Sequence, residues 1–255
     1  MASPLNAARL TPLRILYGLY AWLQFMLVGL GALLLLMLIA PLARRRALVR
    51  GTARLALRLA GMRLSAYGLS TLPDACVIVA NHCSYLDGVV LQALLPARFA
   101  FVIKREMSAV PLAGLLLRRI GVEFVERSAR QQVMRDTRRL LRQAQLGGSL
   151  VFFPEGTFSH EVGLLHFHIG AFAAAARANL PIIPLAIQGT RRCLPPGRPW
   201  PAPGHIEVRV LAPIAAIPAG EGGTVSQGER ARQLRRSARD ALLAVLGEPD
   251  LAGGA

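Results

Sequence analysis

The stretch ACVIVANHCSYLDGVVLQALL, residues 75–95, decides the fold. It opens on an unbroken apolar run at 75–80. Polar Asn81, His82, Cys83 and Ser84 follow, and a second apolar run begins at Asp87. A short apolar run without polar alternation reads as a strand buried on both faces. The longer run, opened by polar residues, reads as a helix over 87–95. The polar cluster therefore sits where a strand hands over to a helix, the edge at which α/β sheets gather ligands.

Working outward, the same alternation repeats. Further strands are expected at 99–103, 122–125, 150–153, 182–187 and 206–211, each short, apolar and bounded by Gly, Pro or polar residues. Helices are expected at 110–120, 129–146, 165–178 and 229–246. Such an order predicts an α/β domain with a largely parallel central sheet flanked by helices. It would occupy 63–255, after an N-terminal membrane-associated helical segment at 1–62.

That segment carries no charge from Ile15 to Leu42. As a helix it is about 42 Å long, against a hydrocarbon core of about 30 Å. It can cross a bilayer if it tilts or breaks, with Gly29, Gly31 and Pro41 as the candidate breaks. The run is too long for a signal peptide, and no small-residue cleavage site follows. Arg46, Arg50, Arg54 and Arg58 then recur on one helical face. Solvent is the ordinary partner of such a stripe; directly after an apolar span, lipid phosphates are the sharper expectation. The arginines flanking the span place the rest of the chain on the cytoplasmic face.

Over the 255 residues, Lys plus Arg is 30 against 14 acidic residues, and every one of those bases except Lys104 is arginine. A net charge of +16 calls for an anionic partner. With a mean hydropathy of +0.43 and no nucleic-acid-binding motif, membrane lipid fits better than nucleic acid. Three cysteines, Cys76, Cys83 and Cys193, form neither a disulfide framework nor a metal spacing. His166 and His168 lack the further ligands a metal needs, so no metal is expected.

His82 and Asp87 are five residues apart and would point about 140° apart in a regular helix. They meet only if His82 lies in the turn and Asp87 in the first helical turn. There the carboxylate can accept the imidazole Nδ1–H and leave Nε2 as a general base. Simple helix capping accounts for the pair equally well. A glutamate directly after an apolar run, in Phe153-Pro154-Glu155-Gly156-Thr157, is unusual for a plain turn. Arg127, closing Gly121-Val122-Glu123-Phe124-Val125-Glu126-Arg127, follows a strand and suits phosphate recognition.

Taken together these segments resemble the glycerolipid acyltransferases, best known as lysophosphatidic acid acyltransferases. The family pattern N-H-x-S-x-x-D is complete at 81–87, G-x-x-F-V-x-R at 121–127 and F-P-E-G-T at 153–157. A proline-containing strand stands at 181–184, and Lys104-Arg105-Glu106-Met107 looks like the family's K-K-E-L. The resemblance covers roughly 64–213. It implies that His82 deprotonates an acceptor hydroxyl while Asp87 orients the ring. It further implies that Lys104 and Arg127 hold the acceptor phosphate. Glu155, Gly156 and Thr157 would shape the acceptor site, and Pro184 would line an apolar pocket. The co-substrate would be acyl-CoA or acyl-carrier protein, with no other cofactor, and the product phosphatidic acid. Cys83 occupies a variable position of the pattern and reads as structural.

Two positions depart from the pattern. Phe158 stands where the family usually has arginine, and His168 where it often has lysine or arginine. Another lysophospholipid, or an amino-acid-based lyso-lipid, is therefore the alternative acceptor. A non-catalytic lipid-binding protein is disfavoured by the intact His82/Asp87 pair.

Overall fold

The structure is a computed structural model and describes residues 11–126, 148–215 and 226–252. Seven strands form one sheet in the order β1-β7-β6-β2-β5-β3-β4. They are β1 (Met62–Tyr67), β2 (Val77–Ala80), β3 (Phe99–Lys104), β4 (Glu123–Val125), β5 (Ser149–Phe152), β6 (Ile182–Gln188) and β7 (Gly204–Val210). β2 to β6 run parallel, whereas β1 and β7 are parallel to each other and antiparallel to the rest. The largely parallel α/β sheet read from the sequence is present. β1 is an addition, since its sequence MRLSAY mixes apolar and polar residues at a sheet edge.

The central strands are apolar without interruption because both faces are covered. Along β2, Ile78 and Ala80 enter one core with Leu91 and Leu57. Val77 and Val79 enter a second core with Phe167, Phe172 and Leu242. Helices α1 (Pro12–Leu38), α2 (Leu42–Leu59), α3 (Leu86–Leu94) and α4 (Ala113–Arg119) come first in the chain. They are followed by α5 (Gly170–Ala178), a single turn α6 (Thr190–Cys193) and α7 (Gln227–Leu246). α7 begins with a capping box between Ser226 and Glu229 and stops at Gly247 in the left-handed conformation.

α1 starts at Pro12 behind the Thr11 cap and stays helical through Gly29 and Gly31. The break falls at 39–41, before α2. One face of α1 is tied to the domain: Tyr17 Oη donates to Ala60 O, Tyr20 Oη to Leu59 O and Gln24 Nε2 to Ala56 O. The helix also exposes Leu13, Leu16, Leu23, Leu27, Leu34 and Leu38.

Three of the four stripe arginines on α2, Arg46, Arg50 and Arg54, face carbonyls, which corrects the lipid-phosphate expectation for them; Arg58 is exposed. Arg46 donates to Ile120 O, Ala97 O and Gly121 O at 2.8–3.1 Å. Arg50 donates to Leu94 O and Arg54 to Ala93 O, the last carbonyls of α3. A helix C-terminus leaves such carbonyls unpaired and carries partial negative charge, so guanidinium groups satisfy it as a phosphate would satisfy them.

Two helical expectations also change. Residues 105–109 form a tight 3-10 turn, and α4 covers only the last part of 110–120. The expected helix at 165–178 begins at Gly170, because residues 164–168 spend their backbone bonds elsewhere. Leu165 N donates to Glu155, and His168 N to Pro154 O. The helix expected at 129–146 lies outside the described residues.

Candidate active site

The parallel strands deliver their polar residues to one edge. β2 ends at Ala80 and hands Asn81 and His82 to the turn before α3. Asn81 is locked to β6, its Nδ2 donating to Ile187 O and its Oδ1 accepting from Ile187 N, at 2.9 and 2.7 Å. Ser84 Oγ donates to Leu194 O at 2.7 Å and accepts from Leu86 N at 3.1 Å. The turn is thus fixed by side chains of its own motif.

His82 Nδ1 and Asp87 Oδ2 lie 2.8 Å apart, with Asp87 fully buried and the His82 side chain 18% exposed. The same Oδ2 accepts Cys83 N at 2.7 Å and Ser84 N at 2.8 Å. Asp87 therefore ties down the turn before α3 and holds the ring in one act, while α3 itself has no side-chain cap. With Nδ1 engaged by Asp87, Nε2 is the ring nitrogen left for other partners. The ring stacks on Phe153, centroids 4.3 Å apart, and meets the edge of Phe158 at 4.5 Å. Phe158 in turn packs edge-on against Tyr85 at 4.7 Å. The odd residue of the F-P-E-G-T-x-S segment is thus a wall of the site, visible in sequence only as a departure.

Glu155 is 3% exposed. Its Oε1 accepts His82 N at 2.6 Å and its Oε2 accepts Leu165 N at 2.8 Å. The carboxylate braces the backbone of His82 rather than reaching outward. Burial pushes its pKa up to about 7; the Leu165 and His82 N–H groups and the charge of Arg239 act downward, and Asp87 acts upward. Gly156 takes φ +71°, which glycine adopts at no cost, and Thr157 is exposed at the rim. Lys104 ends β3 opposite Val125 of β4, on the same edge. Arg127 lies outside the described residues. Cys83 is buried with its thiol 3.2 Å from Thr190 Oγ1, and burial pushes its pKa up to about 12, away from the thiolate form.

An apolar cavity of about 600 Å³ is lined in part by Phe153, the ring on which His82 stacks. Phe153 and Tyr85 form its end nearest His82. Phe25, Gly29 and Leu33 of α1 and Leu116 of α4 form walls further in. Pro184 is not among its lining residues. It is buried in β6 opposite Val79, its carbonyl accepting Leu211 N, because a central strand runs there. The α1 wall had no signal in the sequence beyond a generally apolar helix.

Comparison with known proteins agrees with this arrangement. The Acyltransferase family model matches residues 63–188. A lyso-ornithine lipid O-acyltransferase of Pseudomonas aeruginosa is 34% identical over 179 residues, 66% of this chain and 67% of that protein. A chloroplastic 1-acyl-sn-glycerol-3-phosphate acyltransferase of Brassica napus is 33% identical over 147 residues, 56% of this chain. The chain spans only 42% of that plant relative's length. The crystal structure of the 1-acyl-sn-glycerophosphate (LPA) acyltransferase PlsC from Thermotoga maritima superposes with a TM-score of 0.70 at 20% identity. That match covers 91% of this chain and 98% of the other, so the two share a fold. The chain belongs to the glycerolipid acyltransferase family.

Proposed function

We propose that this protein is a membrane-associated O-acyltransferase that moves a fatty acyl group from a thioester donor to the free hydroxyl of a lyso-lipid. The observation that carries the reading is His82, held through Nδ1 by a buried carboxylate beside an apolar cavity. Nε2 removes the hydroxyl proton as the oxygen attacks the thioester carbonyl. The tetrahedral intermediate collapses, the C–S bond breaks, and the departing thiolate takes the proton back from the imidazolium. A thioester is already activated, so a base and good positioning suffice without an enzyme nucleophile. The cavity takes an acyl chain, being almost wholly apolar and of ordinary ligand-pocket size. The exposed leucines of α1 enter lipid and bring the site to its substrates. The donor is acyl-CoA or acyl-carrier protein, and the catalytic domain faces the cytoplasm.

The acceptor in this reading is lysophosphatidic acid, giving phosphatidic acid, with Lys104 and Arg127 on the phosphate. Phe158 against His82 favours a second acceptor, an amino-acid-based lyso-lipid such as the lyso-ornithine lipid of the Pseudomonas relative's name. Purified protein assayed with a panel of lyso-lipids and both donor types separates the two. A better rate with a phosphate-free acceptor, together with little effect of Arg127→Ala, would remove lysophosphatidic acid as the substrate. Failure to acylate any lyso-lipid would remove the reaction.

A further inference from the structure

The C-terminal end of the chain is seated on the loop that braces the base. After α7, Pro249 O accepts Leu164 N at 2.9 Å and Leu251 N donates to Leu164 O at 3.1 Å, a short parallel bridge. Gly163 leaves no room under this tail; a Cβ there would stand 2.6 Å from Leu251 Cγ. Arg239, in the middle of α7, closes the arrangement. Its guanidinium donates to Leu165 O at 2.5 Å, to Leu164 O at 2.7 Å and to both oxygens of Asp250. It also lies 5.0 Å over the Phe167 ring. Its side chain is 11% exposed, whereas that of Asp250 is 49% exposed.

This cluster lies away from the motif residues, yet it ends on them. The Leu164 carbonyl that Arg239 grips belongs to the same peptide unit as the Leu165 N–H, and that N–H holds Glu155 Oε2. The other oxygen of Glu155 holds the backbone N–H of His82. Four linked groups therefore run from the last helix to the general base. The guanidinium is suited to this because it presents donors in a rigid fork, to two carbonyls and a carboxylate at once.

We propose that Arg239, clasped by Asp250, is a positioning residue for His82, acting through the 164–165 backbone and Glu155. It touches no substrate; it fixes the height and tilt of the imidazole over the acyl cavity. A small misplacement of a base costs rate much more than binding. The kinetic consequence rests on the acyl-transfer reading, while the geometric one does not.

The test uses the full chain in detergent, with Arg239→Gln, Arg239→Lys, Asp250→Asn and Glu155→Gln. The first readout is the ring ¹⁵N resonance of His82 in histidine-labelled protein, identified by its loss in His82→Gln. Arg239→Gln displaces or broadens it, Glu155→Gln does the same, and the double variant adds nothing further. The second readout is kinetic. Arg239→Gln lowers kcat by on the order of 10- to 100-fold with acceptor KM within about twofold; Arg239→Lys recovers part of the loss. An unmoved His82 resonance in folded Arg239→Gln overturns the proposal, as does a kcat loss that multiplies with that of Glu155→Gln. If Arg239→Gln does not fold, Asp250→Asn, altered at a half-exposed carboxylate, is judged by the same two criteria. A wild-type protein inactive on every lyso-lipid would sink the reaction, and the resonance would still decide the clasp.

Discussion

Replacing Asp87 by asparagine separates its two roles. Asp87 Oδ2 accepts three hydrogen bonds, from His82 Nδ1, Cys83 N and Ser84 N. An asparagine placed with its oxygen at that point keeps all three. Flipped, its NH₂ would face two backbone N–H donors inside the protein, so the flip is disfavoured and the ring keeps its tautomer. The change thus removes charge and leaves geometry. When the hydroxyl is deprotonated the ring becomes a cation. A charge-assisted hydrogen bond then exceeds a neutral one by on the order of 2 kcal/mol. At 1.36 kcal/mol per tenfold, kcat/KM falls about thirtyfold. Asp87→Ala should lose more and also destabilise, because two buried N–H groups lose their acceptor at about 1–3 kcal/mol each. Steady-state kinetics with a lyso-lipid acceptor, on proteins matched by circular dichroism, provides the comparison. Full activity in Asp87→Asn would refute charge stabilisation of His82. A loss near 10⁴-fold, the scale of a wrong tautomer, would refute the argument against the flip.

Glu155 gives a pH signature in stability. Its folded pKa, about 7, lies above the usual 4.5. Its contribution is therefore fully present below about pH 4.5 and disappears as pH rises through 7, amounting to about 3 kcal/mol. The wild-type Tm should fall between pH 5 and 8 relative to Glu155→Gln; parallel curves would contradict the burial argument. Gly29 lines the cavity with nothing within 4 Å of an added Cβ. Gly29→Leu should thus keep the fold and cut the preference for long over short acyl donors about tenfold, read by competing donors in one reaction. On the exposed face of α1, Leu27→Glu with Leu34→Glu should lower vesicle sedimentation in high salt at least about tenfold, since each buried charge costs about 2–3 kcal/mol. Undiminished sedimentation would mean that this face does not enter lipid.

The central strands were legible because a sheet covered on both faces leaves no polar alternation, and β2 and β6 carry none. The His82/Asp87 turn was legible from spacing, since five residues forbid contact within a helix. Other features depend on what stands opposite, which a single chain does not spell out. Arg46, Arg50 and Arg54 have the same periodicity whether they meet phosphates or the carbonyls ending α3. Leu165 looks helical until Glu155 claims its N–H and Arg239 its carbonyl. The family resemblance alone implied a pocket role for Pro184, yet it is buried in β6 opposite Val79. Glu155 stood out in the sequence as a glutamate directly after an apolar run, but only the structure shows that it faces inward to two N–H groups.

The most direct test of the mechanism is His82→Ala in purified, folded protein, given an acyl thioester and the best lyso-lipid of the panel, with ester product quantified. Removing the base should cost about 10²–10⁴-fold in rate, with the vesicle binding of the wild type unchanged. Near-normal ester formation by the variant would contradict His82 as the general base.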